Sequence, residues 1–232
     1  EYAAILDAAK DYNERLSQIG GPLYHYDEVE GYYETLDITG TGIMGYVSIP
    51  SIGVQLPIYH GTSDEVLNIA VGHFEGTTLP IGGIGTHSVI MAHRGLPSAK
   101  LFSDLDEMVV GDIFTITVLN ETLTYEVEEI FIVLPHETEK IELIDGEDYV
   151  TLLTCTPYGV NSHRLLVRGK RIANIEEEGM NIIKVPADAA QVDPMAVIPF
   201  IAIPLFILLI IIWNVGGKIR KRPKINPKSI LK

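Results

Sequence analysis

The chain has 232 residues, of which 47% are hydrophobic, and a formal net charge of −14 at neutral pH. This length suits one ordinary domain with appendages, and the hydrophobic content is enough for a substantial core. Its single cysteine excludes a disulfide-stapled fold, and the acidic balance disfavours nucleic acid and anionic membrane surfaces as partners.

An amphipathic helix is predicted at the start of the chain. Within residues 1–19, apolar residues recur at alternating steps of four and three and form a narrow stripe. The stripe consists of Ile5, Ala9, Tyr12, Leu16 and Ile19. The sequence GGP at residues 20–22 ends this helix, which we expect to dock on the main domain. The next segment, LYHYDEVEGYYETLDITGTG, has no clear periodicity and is interpreted as a long surface segment.

From Ile43 onward the sequence indicates β-strands. Short runs rich in β-branched and aromatic residues are separated by glycine, proline or asparagine turns. The runs are IMGYVSI, VQLPIYH, HSVIMAH, IFTITVL, LTYEVEEIFIV, YVTLLTC and HRLLVRG. They predict a mainly β fold, a closed or nearly closed antiparallel barrel of seven or eight strands. Short helices are expected at TSDEVLNIA, with Thr62 and Glu65 in capping-box spacing, and at SAKLFSDL, with Ser98 as its cap.

A transmembrane helix is predicted towards the C-terminus, with a buried core helix as the alternative. Residues 196–213 carry no charge, and at about 1.5 Å per residue they just span a hydrocarbon core of about 30 Å. Residues 173–195 are interpreted as a tether. Residues 214–232 contain seven basic residues and no acidic one, which predicts a cytoplasmic tail. The domain before the span is then extracellular at the cell membrane, and we expect its export signal to have been processed or omitted from this sequence.

The seven histidines offer no compact metal signature. There is no HExxH pattern and no pair of cysteines. The sequence HFE at 73–75 is similar to the H-x-E of zinc deaminases, but their P-C-x-x-C partner is absent. GGIGTH at 82–87 lacks the lysine and the following helix of a phosphate-binding loop. No metal and no other cofactor is therefore predicted.

Nucleophilic catalysis is the chemistry that remains, and Cys155 is its candidate. This cysteine ends the strand-like run YVTLLTC and precedes the turn TPYG. A lone cysteine after apolar residues is commonly a packed core residue. An exported free thiol near cationic groups instead fits a nucleophile, because a thiolate needs positive charge nearby. Both interpretations stand on local pattern alone.

The partners of Cys155 are only partly defined by the residues themselves. His93 ends another predicted strand before a glycine and proline turn, a position equivalent to that of Cys155. His163 is nearer along the chain, but sequence proximity says little about contact in a barrel. Arg164 and Arg168 lie four residues apart on one predicted strand, so both face the same side and parity does not separate them.

These segments resemble the sortases. TLLTCTPYGVNSHR is similar to the sortase motif TLxTC with its following arginine, and HSVIMAHRGLPSAKLF is similar to the region of the sortase histidine. The similarity extends over residues 38–172 and is strongest to the class C sortases, which polymerise pilins in Gram-positive bacteria. It implies a sortase-type eight-stranded β-barrel there, preceded by a helix and lid segment at residues 1–37. The C-terminal anchor also suits that class.

The resemblance further implies a cysteine transpeptidase. Cys155 is then the nucleophile and His93 the acid and base. Arg164 holds the substrate and stabilises the oxyanion, which leaves Arg168 as a structural or surface residue. Thr154 and Leu152 are expected to line the substrate groove.

The implied reaction cleaves an LPxTG-like sorting signal between Thr and Gly through a thioacyl enzyme, which a lysine amine of the next pilin subunit resolves. Alternatives are a housekeeping sortase that joins surface proteins to a cell-wall precursor, a hydrolase, or a barrel that only binds. Class C sortases commonly carry an Asp-Pro-aromatic lid motif, which this chain lacks. Asp27 and Tyr26 are the expected substitutes, unless the lid is missing or open.

Overall fold

The computed structural model describes residues 2–96 and 99–174, in which eight strands form a closed barrel. The strands are β1 (Ile43–Ile49), β2 (Val54–His60), β3 (Val71–His73), β4 (Thr86–Met91), β5 (Ile113–Val118), β6 (Glu121–Val133), β7 (Asp148–Thr156) and β8 (His163–Ile172). Around the barrel they follow the order β1-β2-β3-β4-β7-β8-β6-β5. The mainly β fold is confirmed, and the sequence runs missed only β3, which is three residues long.

Two of the strand pairs are parallel, which corrects the expectation of an antiparallel barrel. β2 pairs with β3 in parallel, and β4 pairs with β7 in parallel. Parallel neighbours need a long connection, and β5 and β6 lie within the one between β4 and β7. As a result, β4 and β7 end at the same edge of the barrel.

The N-terminal helix α1 (Tyr2–Ser17) docks on the domain as predicted. Its side chains Ala9, Tyr12 and Leu16 are fully buried. Asn13 adds two hydrogen bonds to the backbone of Leu79: its amide donates to the carbonyl at 3.2 Å and accepts the N–H at 2.7 Å. These bonds fix the helix against the chain that follows β3.

The other helices are short. α2 (Pro22–His25) and α3 (Asp64–Leu67) have four residues each. The cap of α3 is Ser63, whose hydroxyl accepts the N–H of Val66, so the prediction of Thr62 was one residue early. In place of the second predicted helix there are turns and a 3-10 turn at Leu105–Glu107. Its predicted cap, Ser98, lies outside the described residues.

Residues 175–232 also lie outside the described part of the chain, with the predicted transmembrane helix at 196–213 and the tail. Among residues 2–96 and 99–174, no helix has the length and hydropathy that a membrane span requires. In the same ranges, no three His, Cys, Asp or Glu side chains gather as metal ligands would.

Two buried histidines, His73 and His87, use both of their ring nitrogens in hydrogen bonds. In each ring one nitrogen donates to a backbone carbonyl, that of Thr78 at 2.9 Å or that of Glu142 at 2.7 Å. The other nitrogen accepts from a hydroxyl. The hydroxyls belong to Tyr32 for His73 and to Thr151 for His87. Burial lowers the pKa of both imidazoles from 6.5 to about 4.

We expect acid to destabilise the fold through these two histidines. Because their folded pKa lies below the unfolded value, the unfolded chain binds more protons between about pH 4 and about pH 6.5. The free energy of unfolding therefore falls as the pH drops through that window. Each histidine should account for a loss of about 2 kcal/mol between about pH 7 and about pH 5, measured by urea unfolding.

The matched variants are His73→Gln and His25→Gln, since the ring of His25 is exposed. His73→Gln should lose less stability on acidification than the wild type, and His25→Gln should lose as much. Equal losses in the two variants would contradict the prediction. If His73→Gln does not fold, His87→Gln serves in its place.

Candidate active site

Three neighbouring strands bring the predicted catalytic residues to one edge of the barrel. Cys155 and Arg164 are directly opposite partners in the antiparallel pair of β7 and β8. β4 runs parallel to β7, and their register continues past the end of β4 because the N–H of Ala92 donates to the carbonyl of Leu153 at 3.2 Å. Neighbouring strands lie about 4.8 Å apart, so His93, Cys155 and Arg164 form one row with the cysteine in the middle. We call these three residues the reactive row.

Backbone contacts fix His93 at the end of β4. Its carbonyl accepts the N–H of Phe102 at 3.2 Å, and the carbonyl of Ala92 accepts the hydroxyl of Thr154 at 2.9 Å. Thr154 precedes Cys155 on β7, so this bond ties the strand of the histidine to the strand of the cysteine. The side chains of His93 and Cys155 are both partly exposed, and each can meet a ligand.

The reactive row lies on the outer face of the barrel, next to an apolar surface. Side chains alternate along a strand, so Cys155 shares the face of Leu153, and Arg164 shares that of Leu166. Leu153 and Leu166 belong to a hydrophobic cluster separate from the barrel core, which we call the outer apolar cluster. Its members are Val89, Ile141, Leu153 and Leu166, with Leu23, Phe74, Met91, Phe131 and Val133 packed against them.

Thr154 and Leu152, which were predicted to line the groove, lie on the other face of β7. Both are fully buried. Leu152 belongs to the main core, and the hydroxyl of Thr154 is used in the bond to Ala92. Contact of either side chain with substrate stays a prediction. The contact that the structure shows for Thr154 is the tie between strands.

Arg168 shares a face of β8 with Arg164 but has different surroundings. It forms an ion pair with Glu129 and stacks on Phe131 and Tyr149, with its guanidinium carbon 5.1 and 4.8 Å from the ring centroids. The side chain of Arg168 is only 10% exposed, and its charge is committed to the fold.

The guanidinium of Arg164 is held by its own turn. Its Nη1 donates to the carbonyls of Asn161 at 3.2 Å and His163 at 3.1 Å. The guanidinium has further N–H donors, and Arg164 is the register partner of Cys155. Contact of this guanidinium with an oxygen atom presented to the thiol stays a prediction. Alternation along the strand puts Arg164 and Arg168 on the same face, so it could not show that their surroundings differ.

His163, the histidine nearest to Cys155 in sequence, lies outside the reactive row. It pairs with Thr156 across β7 and β8, one position beyond Cys155, and alternation turns it to the other face. Its Nδ1 lies 2.9 Å from the hydroxyl of Ser162. The structure therefore places His93, rather than His163, beside Cys155.

The predicted lid residues Tyr26 and Asp27 lie in a 3-10 turn at Tyr26–Glu28, directly after α2. Both are exposed. The residue of this segment that packs against the outer apolar cluster is Leu23. A lid role for Tyr26 and Asp27 stays a prediction.

Arg94 and Tyr158 are two residues beside the row to which the sequence assigned no role. The side chain of Arg94 is 8% exposed, and its Nη2 donates to a carboxylate oxygen of Asp106 at 2.5 Å. Its guanidinium lies over the ring of Tyr158, 5.6 Å from the centroid. The sequence could have singled them out only by their position, because each lies in the turn that follows a predicted catalytic residue.

A closed barrel that holds a cysteine between a histidine and an arginine at neighbouring strand ends defines a class of proteins with thiol chemistry. The sortase domain family model matches residues 47–172. This match covers more than half of the chain, so the chain belongs to the sortase family.

Solved structures of C-type sortases are similar to this chain in both fold and sequence. Sortase C1 of Streptococcus agalactiae is 48% identical with a TM-score of 0.68, over 75% of this chain and 91% of that one. Sortase C-1 of Actinomyces oris is 43% identical with a TM-score of 0.69, over 75% of this chain and 100% of that one. At these identities the similarity includes sequence as well as barrel shape.

More distant relatives match over part of their length. Sortase A of Streptococcus agalactiae is 30% identical over 117 residues, which are 49% of this chain and 47% of that protein. Sortase D of Bacillus subtilis is 29% identical over 131 residues, or 55% of this chain and 63% of that protein. The chain thus spans about half to two thirds of these relatives.

Proposed function

We propose that this protein is a cysteine transpeptidase of the class C sortase type, which joins pilin subunits. The observation that carries the proposal is the reactive row. Cys155 has Arg164 as its register partner on β8, and the residue before it, Thr154, bonds to Ala92, the residue before His93. The C-type sortase neighbours, at 43–48% identity, support the same class.

The proposed reaction has two acyl transfers. The thiolate of Cys155 attacks the carbonyl carbon between Thr and Gly of an LPxTG-like sorting signal, and a C–S bond forms while the C–N bond breaks. His93 donates its proton to the departing amine. A lysine amine of the next pilin subunit then attacks the thioester, gives a proton to His93, and releases Cys155 as an isopeptide bond forms.

Arg164 suits the developing negative charge on the carbonyl oxygen. Its guanidinium is planar and stays protonated, and its N–H groups can donate hydrogen bonds to such an oxygen. The outer apolar cluster supplies a surface for the apolar residues of the signal, because Leu153 and Leu166 lie next to Cys155 and Arg164 on the same face. The proposed oxyanion contact and the apolar surface thus both come from β7 and β8.

We further propose that residues 196–213 anchor the protein in the cell membrane, with the barrel outside and the basic tail inside. The charge-free run and the flanking cations support this placement. A chain ending at residue 195 should be recovered in the soluble fraction, whereas the full chain should need detergent. Membrane retention of the shortened chain would contradict the proposal.

Incubation with a purified pilin that carries a sorting signal tests the function. A ladder of covalent pilin multimers that resists boiling in detergent supports pilin polymerisation. Cleaved monomer alone indicates hydrolysis, and transfer only to a cell-wall peptide amine indicates the housekeeping reaction. Either result would overturn the pilin assignment.

We also propose that residues 21–28 form the lid over the outer apolar cluster. Leu23 packs on that cluster, and the hydroxyl of Tyr24 lies 3.0 Å from that of Thr138. Gly76 lets the segment approach closely, because a Cβ at this position would lie 2.8 Å from the Cα of Leu23. The segment therefore covers part of the outer apolar cluster, where Leu23 lies close to Gly76, His87 and Ile141.

Leu23→Ala should loosen this lid. Loss of part of a half-buried leucine weakens the closed state, and we expect cleavage of a sorting-signal peptide to rise roughly five-fold. Tyr26→Ala is the matched control, because Tyr26 is exposed, and it should leave the rate near that of the wild type. An unchanged rate in Leu23→Ala, or a larger rise in Tyr26→Ala, would contradict this assignment.

A further inference from the structure

Two loops leave the strand ends that carry the histidine and the cysteine, and they meet at Arg94 and Tyr158. The guanidinium of Arg94 lies over the ring of Tyr158, 5.6 Å from its centroid. Gly95 lies against the same ring, so closely that a Cβ there would come within 2.8 Å of a ring carbon. The loop after β4 and the loop after β7 are therefore in direct contact.

A third element joins at the same guanidinium. Asp106, in the 3-10 turn Leu105–Glu107, accepts a hydrogen bond from Arg94 Nη2 at 2.5 Å. The N–H of Gly95 donates to the hydroxyl of Ser103 at 3.1 Å. Arg94 is thus fixed on one side by a carboxylate and on the other by an aromatic ring.

Stability alone does not favour this arrangement. The side chain of Arg94 is 8% exposed, and its Nε is buried without a hydrogen-bond partner among the described residues. An unpaired buried donor destabilises the folded state, and apolar side chains of similar volume often replace buried ion pairs without loss of stability. A guanidinium, unlike an apolar side chain, can make directed contacts with both Asp106 and Tyr158.

We propose that Arg94 and Tyr158 are positioning residues that set the separation of His93 and Cys155. Arg94 follows His93 directly, and Tyr158 is three residues after Cys155. The Thr154 to Ala92 bond fixes the backbones before the two reactive residues, and the contact between Arg94 and Tyr158 fixes them after. The inference rests on the proposed roles of Cys155 and His93.

The test compares Tyr158→Ala, Tyr158→Phe and Arg94→Lys. Tyr158 is 63% exposed, so its truncation should leave a folded protein. Arg15→Lys is the matched control: Arg15 bonds to Asp11 at 2.9 Å and lies over the ring of Tyr12 at 5.7 Å, on α1. For each variant the measurements are kcat and KM for a sorting-signal peptide, and the pH profile of Cys155 alkylation by iodoacetamide.

Tyr158→Ala and Arg94→Lys should lower kcat by roughly ten-fold or more with little change in KM, because alignment rather than binding is lost. The pH profile of Cys155 alkylation should also differ from that of the wild type, since the separation of the imidazole and the thiol is changed. Tyr158→Phe should behave like the wild type because the ring makes the contact, and Arg15→Lys should also be unchanged.

Folded Tyr158→Ala and Arg94→Lys proteins with wild-type kcat and alkylation profiles would overturn the inference, as would a Tyr158→Phe defect equal to that of Tyr158→Ala. If Arg94→Lys does not fold, the two Tyr158 variants decide. Alkylation is read without a sorting signal, so it still decides the inference if the proposed transpeptidation fails.

Discussion

Replacing Cys155 with alanine is expected to abolish the thioacyl enzyme and to lower cleavage of a sorting-signal peptide by at least about 10⁴-fold. The expectation follows from position, because Cys155 is the central residue of the reactive row and no other cysteine exists in the chain. Its side chain is partly exposed, so the substitution leaves no large cavity. Intact-protein mass spectrometry after incubation with peptide reads the acyl adduct directly.

The uniqueness of Cys155 makes the result unambiguous. Any acyl adduct that disappears in Cys155→Ala was attached to this residue, and the melting temperature shows whether the fold is intact. Cys155→Ser is the conservative control, which keeps a hydroxyl of similar size but a far weaker nucleophile at neutral pH. An adduct of undiminished yield in folded Cys155→Ala would disprove the mechanism.

Replacing Arg164 with lysine is expected to lower kcat by about 10²-fold, with a smaller effect on KM. Lysine keeps the charge but loses the planar set of donors, so the oxyanion would lose directed hydrogen bonds. The bonds of Arg164 Nη1 to the carbonyls of Asn161 and His163 also orient the guanidinium, and an ammonium would not reproduce this geometry.

Arg168→Lys is the matched control for this experiment. It makes the same chemical change on the same strand and face, four residues away, but its arginine is ion-paired with Glu129. We expect lower stability from Arg168→Lys and a nearly unchanged kcat in the folded protein. Equal losses of kcat in the two variants would contradict a specific role for the guanidinium of Arg164.

Local composition predicted most strands but not how they pair. β-Branched and aromatic runs identify β1, β2 and β4–β8, because such side chains suit a half-buried pleated surface. β3 has three residues, Val71–His73, which is too short for a periodic signal. The direction of pairing is set by which strands meet in space, so the parallel pair of β4 and β7 was not accessible from alternation.

The candidate site was predictable where a residue ends a strand. His93 and Cys155 are recognisable as polar residues after apolar runs, and the sortase resemblance selected them from their alternatives. The choice between Arg164 and Arg168 depends on Glu129 and on the rings beside Arg168, which lie on other strands.

The contacts that support the site could not be derived from sequence. Arg94 and Tyr158 meet only because β4 and β7 end together, and the partner of Arg94, Asp106, comes from a separate turn. Side chains alternate along a strand, so Thr154 must lie on the face opposite to Cys155. Which of the two faces points into the barrel is known only from the closed structure. Each of these contacts links segments distant in sequence, for which local pattern carries no signal.

The parallel pairing of β4 with β7 also determines when the reactive row comes into existence during folding. The bond from Thr154 to Ala92 joins residues 62 apart in the chain, and two other strands form between them. Contacts between residues so far apart form late in folding, because the chain must lose the entropy of the intervening loop before the contact can stabilise it. In a newly made chain the thiol and its proposed imidazole partner are therefore not brought together until the barrel closes, and the proposed acyl transfer would be restricted to molecules that have finished folding.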